Sequence, residues 1–377
     1  MSTLQTMLDE AVAQGVFPSG QAVVLRDGAT IFAGSSGGAT AQTHYDLSSV
    51  SKTIGTTAVF LSLWAQGKVG PDAPLARFLP DSPAALSGIT LADLLYHRSG
   101  LPAFVPFFAP VMLHVPELLD PDCSPAARAE VRAEVVRAAE QMPLSRPIGE
   151  KAVYSDVGFI LLGEALARAG GDTLDQVFDQ QVARPLGLTS HYRPLSRPSP
   201  QVPLASTGTL RPRDPAPGQE GMLEPIPQQP SRPGEVDDDN AFVLDGVAGH
   251  AGLFGTAEDV ARFGQAVLDE LDGASKLAPA PLWRRVLARD PKVAGSTRAM
   301  GFDTPSQTGS SAGSLLGQLA PGAVGHLGFT GTSLWIDLSR RLVVALNTNR
   351  TLPGRQEVRL REFRPRFHDA AVTLSGG

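Results

Sequence analysis

Two apolar hairpin patterns at opposite ends of the chain restrict its fold more than any other feature. Near the start, residues 21–26 (Gln-Ala-Val-Val-Leu-Arg) meet Asp27 and Gly28 and continue into the apolar run Ala29 to Ala33. An Asp-Gly pair readily takes the positive φ of a two-residue hairpin turn, so the flanking runs read as its strands. Near the end, Gly331 to Asp337 and Arg341 to Asn347 flank a turn at Leu338 to Arg340. Residues 3–15 carry helical apolar spacing (Leu4, Met7, Leu8, Ala11, Val12), and a last helix is expected from about Gln356 to Leu374. This order predicts an α/β (α+β) architecture: an antiparallel sheet built from both chain termini and flanked by the terminal helices.

The middle of the chain reads as mainly helical. A run from about Val50 to Gln66 is apolar on most sides (Ile54, Val59, Leu61, Leu63, Trp64) and predicts a central buried helix ended by Gly67. Further helices are expected near Leu91–Tyr96, Pro125–Gln141 and Val153–Ala167. Thr256 and Asp259 form a capping-box pattern ahead of another. Residues 195–239 are rich in Pro, Gly, Gln and Arg without periodicity, and read as an excursion or lid. The expectation is one domain, residues 1–377, in two lobes with a ligand cleft between them. The α/β lobe takes about 1–60 and 255–377, and the helical lobe about 61–254, including the excursion.

Composition excludes several function classes. The net charge of −6 argues against a nucleic-acid partner. Cys123 is the sole cysteine, so neither a disulfide framework nor a cysteine-rich metal site is expected. The seven histidines (His44, His97, His114, His191, His250, His326, His368) show no metal-ligand spacing, and no metal or other cofactor is proposed. The first residues lack a basic segment followed by a long apolar stretch, and no run of about 18 apolar residues is present. A cytoplasmic protein without a membrane partner is the expectation.

The chemistry-bearing pattern is Ser49-Val50-Ser51-Lys52 at the start of the buried helix. Residues three apart share a helix face, so Ser49 and Lys52 can address one spot. A serine hydroxyl needs a base, and lysine can serve once burial or another cation lowers its pKa from about 10.4. Only five of the 32 Lys and Arg residues are lysine. Arginine cannot act as a base near neutral pH, so a lysine at this spacing is informative. Alone, S-x-x-K is a weak pattern. It is accompanied by Tyr154-Ser155-Asp156 before an apolar helix, His97 to Pro102 at a helix end, and Gly246 to Phe254 around His250. Gly325-His326-Leu327-Gly328-Phe329 opens the last hairpin.

In this combination the chain resembles the serine penicillin-recognising superfamily, in particular the class C β-lactamase-like hydrolases and esterases. Ser49-x-x-Lys52 is similar to the first motif of that family and Tyr154-x-Asp156 to its Y-x-N motif. His326-Leu327-Gly328 is similar to its K-T-G motif in the H-x-G form. Leu94 to Pro102 and Phe329 to Asp337 look like two further family segments. The resemblance spans about residues 5–350 and implies a β-lactamase/DD-peptidase-like fold.

By the resemblance, Ser49 is the nucleophile, Lys52 its base partner and Tyr154 the proton shuttle to the leaving group. The backbone N–H groups of Ser49 and Phe329 would hold the oxyanion, each such donor typically being worth about 3 kcal/mol of barrier. A phenol near two cations has its phenolate favoured. Three departures matter. Leu327 lacks the hydroxyl usual at its position, and His326 replaces a permanent cation. Asp156 replaces an amide, leaving it to pair with Lys52, to hold Tyr154 or to be solvated. The first two weaken recognition of an anionic substrate. The expected function is a serine hydrolase of esterase or amidase type on a small ester, amide or β-lactam-like compound. The alternatives are a D-aminoacyl carboxypeptidase or β-lactamase, and a non-catalytic binding protein that keeps the fold.

Other features read as structural. Gly34 to Gly38 and Gly309 to Gly313 match G-x-S-x-G but lack the strand-then-helix context of a nucleophile elbow. His250 sits among glycines and is either cleft-lining or a turn residue. His97 reads as a helix-end residue, Ser51 as a packing hydroxyl, and Trp64 and Trp335 as core.

Overall fold

The computed structural model describes residues 3–216 and 226–376, so positions 217–225 of the excursion lie outside the described residues. Its main element is a seven-stranded antiparallel sheet. The strands are β1 (Gly20–Arg26), β2 (Ala29–Ser36), β3 (Arg298–Ala299), β4 (Phe302–Asp303), β5 (Ala323–Leu327), β6 (Ser333–Asp337) and β7 (Leu342–Thr348). Their order is β2-β1-β7-β6-β5-β4-β3, so the first hairpin pairs directly with the last. Val24 lies opposite Val344 in that central pairing. The Asp27-Gly28 turn takes φ of 50° and 81°, the two positive angles expected of it.

Side-chain alternation along these strands builds two apolar layers. Ala22, Val24, Leu342, Val344 and Leu346 face α1 (Thr3–Ala13) and the last helix, whose Leu4, Leu8, Phe363 and Phe367 share their cluster. Val23, Leu25, Val343 and Ala345 face the other way, into a core shared with Val260, Phe263 and Val267 and with the helices of the chain's middle. Each fully buried Val, Leu or Phe is worth about 1.5–3 kcal/mol over its exposed state. Period-two apolar patterning on both faces therefore locks the register.

The buried helix after Ser49 is not regular. Lys52–Thr57 forms a π-helical turn before α2 (Ala58–Ala65). The Thr57 hydroxyl donates to the Lys52 carbonyl, five residues back, at 2.7 Å. Thr53 and Thr56 donate outward, to the carbonyls of Gly301 and Gly249 at 2.8 and 2.6 Å. Hydroxyls thus satisfy carbonyls inside a buried core, where an unpaired one would be costly. The helix α3 (Asp156–Gly170) is capped by Ser155, whose hydroxyl accepts from Gly158 N–H at 3.0 Å. The helix α4 (Ala257–Leu271) starts with the expected Thr256/Asp259 capping box. The last helix, α5 (Leu360–Leu374), begins four residues later than its spacing predicts, because turns and irregular backbone occupy 355–359.

The sequence also hides a three-stranded sheet of Tyr45–Asp46, Leu253–Gly255 and His191–Tyr192. Strands that short carry no periodicity. They bring the segment before Ser49 against the His250 loop. Within the excursion, buried Arg211 and Arg213 are matched by Asp239 and Asp237, and the Asp46 carboxylate, accepting from Asp237 N–H, ties it to the body of the protein. Among the described residues no helix is long and apolar enough to cross a membrane.

Candidate active site

Ser49 enters the helix from a backbone held in an unusual shape. Ser48 has φ of +49°, rare for a residue with a Cβ. The Asp46 carboxylate holds this turn, accepting from Ser48 N–H at 2.7 Å and from Asp237 N–H at 2.6 Å. Burial raises the Asp46 carboxyl to about 7, against those two hydrogen bonds. The fold thus presents the Ser49 hydroxyl at the start of a helical run, facing a cleft of about 1030 Å³.

One turn on, Lys52 is fully buried and its Nζ meets three acceptors. These are Ser49 Oγ at 3.1 Å, the His250 carbonyl at 2.9 Å and Asp156 Oδ1 at 2.7 Å. Ser49 Oγ and the His250 carbonyl accept hydrogen bonds, and Asp156 pairs with the ammonium as its counter-ion. Burial works to lower the Lys52 pKa, but the Asp156 carboxylate, with contact to Tyr154, outweighs it and the net direction is upward. The expectation of a lysine made basic by a lowered pKa is therefore corrected: Asp156 supplies a counter-charge that an amide would lack.

The Tyr154 ring lies 4.8 Å from Lys52 Nζ and rests on the ring of His97, 4.6 Å away. His97 is itself sandwiched against Phe159 at 4.9 Å, and its Nδ1 accepts from Ser155 N–H at 3.0 Å. It forms the floor under Tyr154, a role its helix-end position did not reveal. Arg298 covers the Tyr154 ring at 5.1 Å, from a segment that carries no recognisable motif. Burial raises the Tyr154 pKa more than contact with Lys52 and Ser49 lowers it. The phenol is neutral at rest, contrary to the favoured phenolate expected from the sequence.

The His250 ring turns away from Ser49 to Asp238, with Nε2 to Oδ1 at 2.9 Å, while its carbonyl anchors Lys52. Gly249 permits this, since a Cβ there would fall onto the Phe159 carbonyl and the Gly163 backbone. Burial works against the Asp238 carboxylate, yet His250 holds it below the usual range.

The third segment lies on β5 and the loop after it. His326 Nδ1 is 2.8 Å from the Leu327 carbonyl, so that nitrogen carries the proton. Its Nε2 is buried with no hydrogen-bond partner among the described residues. Burial, then Lys52 and Arg298, push its pKa down to about 3. His326 thus offers a lone pair where the family's lysine would offer a charged donor. Gly328 packs so closely on Thr332 and the Leu47 carbonyl that no side chain fits. Phe329 is 37% exposed at the cleft, its ring covered by Arg350 at 4.3 Å.

Ser49, Tyr154, Asp156, His250, His326, Gly328 and Phe329 all line the one cleft, with Lys52 beneath them. Both G-x-S-x-G stretches lie apart from it: the first leaves edge strand β2 into a turn and the second is a loop near Asp369. Among the described residues no His, Cys, Asp and Glu group could hold a metal ion. Asp46, Ser48, Asp238 and Arg298 were not singled out from the sequence. Of these, only Asp46 and Ser48, three and one residues before Ser49, carry a positional hint.

Comparison with known proteins bears on the family and the fold. The sequence model of the Beta-lactamase family matches residues 4–365. An N-acetylmuramyl-L-alanine amidase of Bacillus subtilis is 29% identical over 376 residues, covering 91% of this chain and 79% of that protein. A protein of Escherichia coli K12, provisionally named a D-alanyl-D-alanine carboxypeptidase, is 28% identical over 333 residues, 83% of this chain and 70% of its own length. Among solved structures, EstCE1, a hydrolase with promiscuous acyltransferase activity, superposes with a TM-score of 0.65 at 21% identity. That superposition covers 96% of this chain and 97% of the other.

Proposed function

The chain belongs to the β-lactamase family and is a hydrolase of that kind, and from this premise we propose that it works through an acyl-enzyme on Ser49. The observation that carries the proposal is Lys52 Nζ at 3.1 Å from Ser49 Oγ, held there by Asp156 and the His250 carbonyl. The substrate sits in a cleft between the sheet lobe, about 1–60 and 255–377, and the helical lobe, about 61–254.

Attack by Ser49 Oγ forms a bond to the substrate carbonyl carbon and releases the hydroxyl proton. With Lys52 charged and Tyr154 neutral at rest, the Lys52–Tyr154 pair accepts that proton only after losing one of its own. The competent form is therefore the singly deprotonated pair, whose pKa belongs to both groups. As the bond to the leaving atom breaks, Tyr154 returns a proton to that atom. Water then attacks the ester carbon by the reverse route, freeing the acid and Ser49. The Ser49 and Phe329 N–H groups are assigned to the oxyanion.

Neutral His326 and apolar Leu327 favour an uncharged ester or amide over a carboxylate-bearing substrate. Phe104, Phe108 and Phe329 add apolar walls. The names of the two relatives support a second reading, an amidase or carboxypeptidase on cell-wall-type peptides. Turnover of a short-chain 4-nitrophenyl ester, benzylpenicillin and a D-Ala-D-Ala peptide by one preparation separates these. Fast ester hydrolysis with negligible β-lactam hydrolysis supports the first reading. Stable penicillin labelling with peptide cleavage replaces it with the second.

A further inference from the structure

The N–H of Phe329 is already occupied. It donates to Ser48 Oγ at 3.0 Å, and Ser48 lies in the cleft wall with its side chain next to Gly328. We infer that the Ser48 hydroxyl is a built-in occupant of the oxyanion site, which a substrate carbonyl must displace before Ser49 can react. The inference rests on the assignment of Phe329 N–H to the oxyanion made above.

The contact is not needed to hold the two segments together. Thr330 Oγ1 donates to the Asp46 carbonyl at 2.8 Å, and Thr332 Oγ1 donates to the Leu47 carbonyl at 2.9 Å. These bonds fasten residues 46–47 to the loop after β5 on their own. The Ser48 backbone is fixed as well. Its N–H is bound by Asp46 at 2.7 Å and its carbonyl accepts from Ser51 N–H at 2.9 Å. The hydroxyl can therefore leave Phe329 by rotation about χ1 while the backbone stays in place.

A partly buried N–H takes a partner when no substrate is present. In this chain the partner is a side chain one residue from the nucleophile. Ser49 N–H, the other assigned donor, makes no protein hydrogen bond among the described residues. The resting site thus has one donor without a protein partner and one capped. A substrate carbonyl displaces only solvent at Ser49 N–H but must displace the Ser48 hydroxyl at Phe329 N–H. Ser48 then lowers the affinity for every ligand that needs both donors, while leaving contacts elsewhere in the cleft unchanged.

The test uses phenylboronic acid, whose tetrahedral adduct on a serine places an oxygen where the oxyanion forms. Its inhibition constant is measured for wild type, Ser48→Ala and Ser48→Gly, the glycine suiting the φ of +49° if alanine perturbs folding. The expected result is binding about three- to tenfold tighter in the variants, matching loss of one competing neutral hydrogen bond. KM for a 4-nitrophenyl ester should fall in parallel while kcat changes less. Binding that is unchanged or weaker in both variants overturns the inference, and weaker binding would make Ser48 a donor in its own right. If the Ser49→Ala protein binds phenylboronic acid as tightly as wild type, the acyl-enzyme reading fails together with it. If only the Ser48 variants disappoint, that reading stands.

Discussion

Asp156 Oδ1 lies 2.7 Å from Lys52 Nζ, and this contact sets the charge of the candidate site. Lys52 is completely buried, a setting that by itself would strip its proton. The neighbouring carboxylate reverses that outcome. The family's amide at this position would orient the lysine without charging it. A single-atom change, oxygen for nitrogen, therefore moves the base limb of the reaction toward alkaline pH.

Acylation should increase as pH rises above neutrality, because both Lys52 and Tyr154 are shifted upward and the competent pair has lost a proton. Asp156→Asn removes the anion that raises Lys52. The apparent pKa of kcat/KM should then move down by about one to three pH units, with higher activity at pH 7. A pH–rate profile that does not move would show that Lys52 is not the titrating base.

Lys52→Ala and Tyr154→Phe should each slow acylation by about 10²–10⁴-fold, the usual share of proton transfer. Stopped-flow release of 4-nitrophenol in the first turnover reads this directly. An unchanged rate in either variant removes that residue from the mechanism.

Next to His97, which packs directly on Tyr154, Arg98 is buried between Asp93, at 2.8 Å, and Asp290. Asp290→Ala would leave a buried guanidinium with one counter-charge fewer. A stability loss of about 3–5 kcal/mol by chemical denaturation is expected. Loss below 1 kcal/mol would mean that water replaces the missing carboxylate at about the exposed-pair cost.

His368 provides an acid-sensitive element outside the cleft lining. It is fully buried, with Nδ1 3.0 Å from the Ser311 carbonyl and Nε2 3.1 Å from Ser333 Oγ. Burial, reinforced by Arg364, lowers its pKa from 6.5 to about 3. The unfolded chain takes up this proton near pH 6.5 and the folded chain only near pH 3, so stability falls as pH falls through that window. His368→Gln should flatten the melting temperature between pH 6 and pH 4 by roughly one proton's slope. An undiminished slope would assign the acid sensitivity to other groups.

What could be read from the sequence follows from range. The hairpins at 21–33 and 331–347 were legible because alternation is local and the Asp27-Gly28 turn is short-range chemistry. Ser49 and Lys52 stood out by residue type and spacing, and Tyr154 and His326 by resemblance to the family's motifs. The protonation of Lys52 did not, because it depends on how closely Asp156, over a hundred residues away, approaches it. The π-helical turn at Lys52–Thr57 was hidden for a similar reason. Its stabilising hydroxyl, Thr57, looks like any threonine until the Lys52 carbonyl is seen beside it. The Ser48–Phe329 contact joins positions 281 residues apart and has no sequence signature at all.

The central claim is that Ser49 carries the acyl group. Intact-protein mass after brief exposure to a 4-nitrophenyl ester, and separately to benzylpenicillin, tests it in wild type and Ser49→Ala side by side. A single acyl adduct in wild type that is absent from Ser49→Ala is the predicted result. An adduct that persists in Ser49→Ala, or a wild type that is neither modified nor turns over either reagent, would contradict it.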